Sequence, residues 1–97
     1  MISNQKLLLK LAKQAVAQWG AQKQVDHMHE EMGELMVALN HHKRGRVNES
    51  AVREEIADVL IMCFEMAVMY NPKKVSKVID KKLRLVKKRL DQPKKVF

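Results

Sequence analysis

Two pairs of acidic residues, in the segments HEEMGEL and REEIADVL, have the types and spacing to bind a metal ion. Glu31 and Glu34 are three residues apart, as are Glu55 and Asp58, so in a helix the members of each pair share one face. Carboxylate oxygens at this density favour a hard cation, Mg²⁺ or alternatively Mn²⁺. The sequence therefore predicts a metal site built from these four residues.

One acid of each pair interrupts an apolar stripe. Glu31 follows Met28 by three residues, and Glu55 precedes Val59 by four, so both acids belong to faces that should be buried. An ionised carboxylate in an apolar interior is costly unless an opposite charge compensates it. A bound cation would do so, and the alternative is neutralisation by lysine or arginine from the last predicted helix.

The elements that must position these acids are helices. Leu, Met, Ala, Glu and Lys dominate, while the chain has three glycines and two prolines, which favours helix over strand. We predict an all-α, four-helix bundle-like subunit that forms a single domain over residues 1–97. Apolar residues at helical spacing predict helices at about residues 4–19, 23–42, 50–70 and 73–90.

The boundaries follow from helix-breaking and capping residues. The first helix is expected to stop near Gly20, and Asn48 or Ser50 is expected to cap the third. The third ends where Asn71 precedes Pro72, because proline disfavours a helical conformation in the residue before it.

Length and charge limit the remaining possibilities. A domain of 97 residues buries a thin core, so we expect a homodimer or homotetramer. Residues 73–97 hold 11 of the 19 Lys and Arg against two Asp, which gives that segment a charge of +9.

We expect no membrane span, and the single cysteine, Cys63, fits a reducing cytoplasm. A di-iron site is disfavoured because no glutamate is followed by histidine at the third position.

The motifs as a set resemble a known family. The dipeptide WG at 19–20, EEMGEL at 30–35 and EEIADVLIM at 54–62 resemble, in order, the short single-domain members of the MazG-like all-α nucleotide pyrophosphohydrolases. The resemblance implies Mg²⁺-dependent hydrolysis of a nucleoside triphosphate to a monophosphate and pyrophosphate, which in the cell is a house-cleaning of nucleotide pools. It also places the metal ligands at the four acids of the two pairs.

The resemblance assigns further roles. Glu30 matches a residue thought to help activate water, and Lys82 matches a lysine that contacts the triphosphate. Arg89 lies seven residues after Lys82, on the same helical face, and can add positive charge for pyrophosphate. His27 stands where some relatives have a substrate-binding lysine, and Trp19 can stack on a base or pack in the core.

A different class of function competes with this one. A non-enzymatic helical module could bind nucleic acid through its basic C-terminal helix, by contacts to phosphates. That function explains the +9 segment and leaves the four acids unexplained. We therefore predict a nucleotide substrate and no nucleic acid partner, and the sequence does not fix the base or sugar that is preferred.

Overall fold

The computed structural model describes residues 2–93 of the chain, and within that range it contains four helices and no strand. The predicted all-α, bundle-like fold is confirmed. The observed helical bounds lie within two residues of the predicted ones, and the basic tail beyond Pro93 lies outside the described residues. The helices are α1 (Gln5–Trp19), α2 (Ala21–Lys43), α3 (Glu49–Met69) and α4 (Pro72–Leu90).

A single glycine joins α1 to α2. Gly20 has a φ of 87°, a conformation that residues with a Cβ rarely adopt, and its N–H donates to the carbonyl oxygen of Val16 over 2.9 Å. The sequence predicted that α2 begins at about residue 23. Because Gly20 makes the whole turn, α2 instead begins at Ala21.

Asparagine side chains cap α3 and α4. Oδ1 of Asn48 accepts from the N–H of Ala51 over 3.2 Å, so Asn48 rather than Ser50 is the cap of α3. Oδ1 of Asn71 accepts from the N–H of Lys74 over 3.2 Å in the same way, at a backbone φ of 74°. The two capped ends fix where α3 starts after its loop and where α4 leaves α3.

The helix α3 is the centre of the molecule, and it packs against each of the other three helices. Its largest contact is with α2, and the pair forms an antiparallel hairpin closed by residues 44–48. Helix α1 packs across α3 and also contacts α2, whereas α4 packs only against α3 among the described elements. The hairpin therefore carries both acidic pairs on facing helices.

The core is small and partly polar. Ala12 and Ala15 of α1 and Met62 of α3 are the buried apolar residues of the described range. Gln24 and Glu65 are buried with them, at 4% and 8% exposure. The small alanine side chains let α1 approach α3 closely, and Glu65 lies where these two helices meet.

The subunit is extended for its length. Its radius of gyration is 16.7 Å, against about 13 Å for a compact domain of 100 residues. Large apolar side chains remain exposed, among them Leu83 at 60% and Leu90 at 79%. No helix within residues 2–93 is both long and apolar enough to cross a membrane.

Candidate metal centre

Three of the four predicted acids meet in the α2–α3 hairpin. One carboxylate oxygen from each of Glu31, Glu34 and Glu55 lies within 4.8 Å of the others. Glu31 and Glu34 leave α2 one turn apart, and Glu55 faces them from α3. The three-residue spacing read from the sequence therefore produces a convergent group, here called the acid cluster.

The acid cluster contains buried oxygens without partners. Oε2 of Glu31 and Oε2 of Glu55 are shielded from solvent and form no hydrogen bond with any part of the chain that the structure describes. Buried polar atoms in proteins are nearly always paired, because desolvation without a replacement partner is costly. Two such oxygens in one cluster are consistent with a cation-binding position, because a cation accepts electron pairs from carboxylate oxygens.

Burial and mutual repulsion both act on the cluster. Burial is the main cause that raises the pKa of Glu31 above its ordinary value of 4.5, and the charges of Glu34 and Asp58 add to it. Burial followed by the charges of Glu34, Asp58 and Glu31 likewise raises the pKa of Glu55. Both effects disfavour the ionised forms. A divalent cation bound among these carboxylates would replace their mutual repulsion with attraction to the ion, and would so reverse the electrostatic contribution to the pKa shifts.

Asp58 lies at the border of the cluster. It is exposed and does not belong to the group of mutually close oxygens, but its charge acts on Glu31 and on Glu55. It also lies one helical turn after Glu55, on the same face of α3. A rotamer change or a bound cation can therefore bring its carboxylate toward the other three.

His27 orients one of the acids. Its Nε2–H donates to Oε1 of Glu31 over 3.1 Å, one turn earlier on α2. This hydrogen bond lowers the pKa of Glu31 and opposes the effect of burial. The structure thus places His27 beside the cluster, where it holds Oε1 and leaves Oε2 free.

Within residues 2–93, no lysine or arginine forms an ion pair with the acid cluster. The basic side chain that contacts the cluster is that of His27, through a hydrogen bond, and the cationic groups of α4 are not among the causes that shift the pKa of Glu31 or Glu55. Lys82 and Arg89 are exposed on α4, which does not contact α2. The structure therefore argues against neutralisation by the last helix, and within one subunit it does not bring these two residues to the cluster.

An open cleft of about 600 Å³ lies beside the cluster and is lined by Glu30, Glu34, Glu54 and Glu55, among others. Glu30 is exposed there, next in sequence to a cluster residue, so its carboxylate is accessible to water. Glu54 was not predicted as a site residue. The doubled acid in REEIADVL was the available signal, because EE on α3 repeats the arrangement of Glu30 and Glu31 on α2.

Trp19 does not pack into the core. It is 55% exposed at the end of α1, and it lines a second cleft of about 340 Å³ together with His27 and Glu30. Of the two roles that the sequence allowed, the accessible position is consistent with stacking. The two clefts share Glu30, so a path on the surface leads from the acid cluster to the indole ring.

Two buried polar residues near this path were not predicted as site residues. Gln24 lines the cleft beside Trp19, and Glu65 lies where α3 meets α1. The signal for Glu65 was present in the sequence, because it is the one charged residue in the otherwise near-apolar run 59–70. The signal for Gln24 is weaker: it stands four residues before Met28, which places it on the apolar face of α2.

Comparison of the chain with protein-family models, with curated proteins and with solved structures gave no match. The family resemblance read from the motifs therefore rests on those motifs alone. The geometry of the acid cluster is independent of that resemblance.

Proposed function

We propose that this protein is a metal-dependent nucleoside triphosphate pyrophosphohydrolase that cleaves its substrate to a nucleoside monophosphate and pyrophosphate. The observation that carries the proposal is the acid cluster, whose buried oxygens on Glu31 and Glu55 lack partners beside an open cleft. The resemblance of EEMGEL and EEIADVLIM to the MazG-like family supplies the reaction type.

The donor set of the cluster suits Mg²⁺, with Mn²⁺ as a substitute. Glu31, Glu34 and Glu55 would hold the ion, and Asp58 would join them from the border of the cluster. All four offer oxygen, the ligand atom that hard cations prefer. When bound, such an ion neutralises phosphate charge and makes bound water more acidic.

Residues of the chain would supply what else the hydrolysis needs, which is a base for the attacking water and an oriented metal ligand. Hydrolysis forms a bond between the oxygen of water and one phosphorus of the α–β anhydride, and the bridging P–O bond breaks to release pyrophosphate. Glu30, which is exposed in the cleft, would accept the proton that water loses. His27 keeps Glu31 oriented through its 3.1 Å hydrogen bond.

The basic residues of α4 act in this proposal through a second copy of the chain. In one copy of the chain, Lys82 and Arg89 lie on α4, which packs against α3 and, among the described helices, against no other. Ile79, Leu83, Val86 and Leu90 are exposed on α4 at alternating steps of four and three, the spacing of a helix-packing seam. A homodimer or homotetramer that covers this seam can bring the lysine and arginine of one copy toward the acid cluster of another.

A pyrophosphate-release screen over canonical and modified nucleotides with Mg²⁺ tests the proposal. We expect turnover by the wild type and a loss on the order of 100-fold in Glu34→Gln, since the variant removes a charge that acts in the transition state. Asp58→Asn should also lose activity. Glu49→Gln is the control, because Glu49 pairs with Arg53 at the exposed start of α3. Wild-type turnover in both Glu34→Gln and Asp58→Asn would refute the assigned metal site.

One observation supports the alternative function, which is nucleic-acid binding without catalysis. Helix α4 is exposed along its described length and carries a dense set of lysines and arginines, which suits phosphate contacts to nucleic acid. Such binding would weaken steeply with added salt and would not depend on Glu34. Tight, salt-sensitive DNA or RNA binding without any nucleotide hydrolysis would favour this function over the proposed enzyme.

The proposed activity also suggests a compartment. Nucleoside triphosphates and a reducing environment occur together in the cytoplasm, and the one cysteine, Cys63, is an exposed free thiol. We therefore place the reaction in the cytoplasm.

A further inference from the structure

Glu65 is a buried carboxylate that the proposed reaction does not use. It is 8% exposed, and its Oε2 has no hydrogen-bond partner among residues 2–93. Burial raises its pKa, and among the described charges only His27 opposes that effect. A leucine at this position would pack without the desolvation cost, so stability alone does not account for a glutamate here.

The position of Glu65 connects it to the clefts of the candidate site. Glu65 lines a cleft of about 310 Å³ that is otherwise formed by α1, including Gln18 and Trp19. Trp19 also lines the cleft that reaches His27 and Glu30. The clefts therefore form a series in which Trp19 stands between the acid cluster and the buried carboxylate.

The distance along α3 suits a nucleotide. Glu65 follows Asp58 by seven residues, which places the two on the same face of α3. Seven residues at 1.5 Å each correspond to about 10 Å along the helix axis. A nucleotide whose phosphates lie at the acid cluster would extend its sugar and base over this interval, toward Trp19 and Glu65.

We infer that Glu65 is the residue that reads the base: its carboxylate accepts a hydrogen bond from the exocyclic amino group of a base stacked against Trp19. An ionised carboxylate can only accept hydrogen bonds, whereas uracil and thymine present a keto oxygen where cytosine presents its amino group. The site therefore prefers amino-bearing bases to uracil and thymine. This inference rests on the proposed pyrophosphohydrolase function.

Hydrolysis of CTP and UTP tests the inference, because these substrates differ only at C4 and N3 of the base. Cytosine has an amino donor at C4 and an acceptor at N3, whereas uracil has a keto oxygen at C4 and an N–H donor at N3. We expect the wild type to favour CTP in kcat/KM by at least about 10-fold, since a site that binds an amino group rejects the analogue that lacks it. Glu65→Gln offers an amide that both donates and accepts, so the CTP:UTP ratio should fall toward one. Glu49→Gln, on the same helix at an exposed position, should keep the wild-type ratio.

Each outcome separates this inference from the proposed function. Pyrophosphate release with equal kcat/KM for CTP and UTP in the wild type would overturn the role of Glu65 and leave the enzyme assignment intact. A ratio unchanged in a folded Glu65→Gln protein would do the same. If Glu65→Gln fails to fold, the wild-type ratio decides. Absence of hydrolysis for every nucleotide would overturn both proposals.

Discussion

At the scale of single residues, the carboxylates differ in what surrounds them. Glu31 and Glu55 each have a buried oxygen without a partner, Glu34 is exposed but close to both, and Asp58 acts on them from the border. The sequence predicted which acids share a face, since helical spacing fixes that. The near-apolar run around Glu65 was a signal for its burial, but how deeply this side chain is buried depends on how closely α1 approaches α3.

The raised pKa values of Glu31 and Glu55 predict how stability depends on pH. A carboxyl group whose pKa is higher in the folded state binds protons more tightly when folded, so stability falls as pH rises above the ordinary value of 4.5. In EDTA, the contribution of Glu31 and Glu55 to the melting temperature should therefore fall as pH rises above about 4.5. Glu31→Gln should reduce that fall, whereas Glu49→Gln should not.

Magnesium should remove most of this loss near neutral pH. A ligand at 100 times its Kd stabilises the folded state by about 2.7 kcal/mol, which raises the melting temperature of a domain this small by about 10 °C or more. The measurement is thermal unfolding followed by circular dichroism at matched pH, with and without Mg²⁺. A melting temperature that Mg²⁺ leaves unchanged at pH 7, also with a nonhydrolysable triphosphate, would contradict the metal site.

At the scale of elements, breaking and capping residues made the helices predictable. Gly20 and the Asn71–Pro72 pair mark ends that the sequence shows directly, and the apolar spacing between them is helical. The start of α2 at Ala21 was missed because a turn made by one glycine leaves no loop to recognise. The sequence did not decide which of two residues caps α3, since Asn48 and Ser50 are both good caps by residue type.

The cap of α3 can be tested with two matched substitutions. Asn48→Ala removes the acceptor for the N–H of Ala51 and should cost about 1 kcal/mol. Ser50→Ala removes a hydroxyl from the first turn of α3 without removing that bond, so its effect should stay within about 0.5 kcal/mol. Urea unfolding of both variants gives the comparison. A larger cost for Ser50→Ala than for Asn48→Ala would contradict the observed cap.

At the level of the whole molecule, the described chain is extended and has a small buried core. Its buried apolar core consists of Ala12, Ala15 and Met62, and the radius of gyration of 16.7 Å exceeds that of a compact domain. The sequence predicted Lys82 and Arg89 as substrate contacts, but α4 lies away from α2 in one subunit. Residue spacing within a helix does not show which neighbouring helix that helix faces. The position of Lys82 and Arg89 relative to the acid cluster could therefore not be predicted from the sequence.

The proposed assembly would account for these features, and it gives a further prediction. Light scattering during size exclusion should find a mass of two or four copies of the 11.3 kDa chain. Leu83→Gln, which puts an amide on the exposed seam of α4, should shift the protein toward the monomer. Lys88→Gln places the same side chain elsewhere on α4 and should not. A wild-type monomer at high concentration would contradict the proposed assembly.

We propose that the acid cluster holds a metal ion for pyrophosphohydrolysis. Phosphorus NMR of a nucleoside triphosphate mixture incubated with the protein identifies the products and therefore tests this proposal. We expect monophosphate and pyrophosphate in equal amounts with Mg²⁺, no products in EDTA, and almost none with Glu34→Gln. Diphosphate and orthophosphate as the products, or pyrophosphate formed equally fast in EDTA, would contradict this proposal.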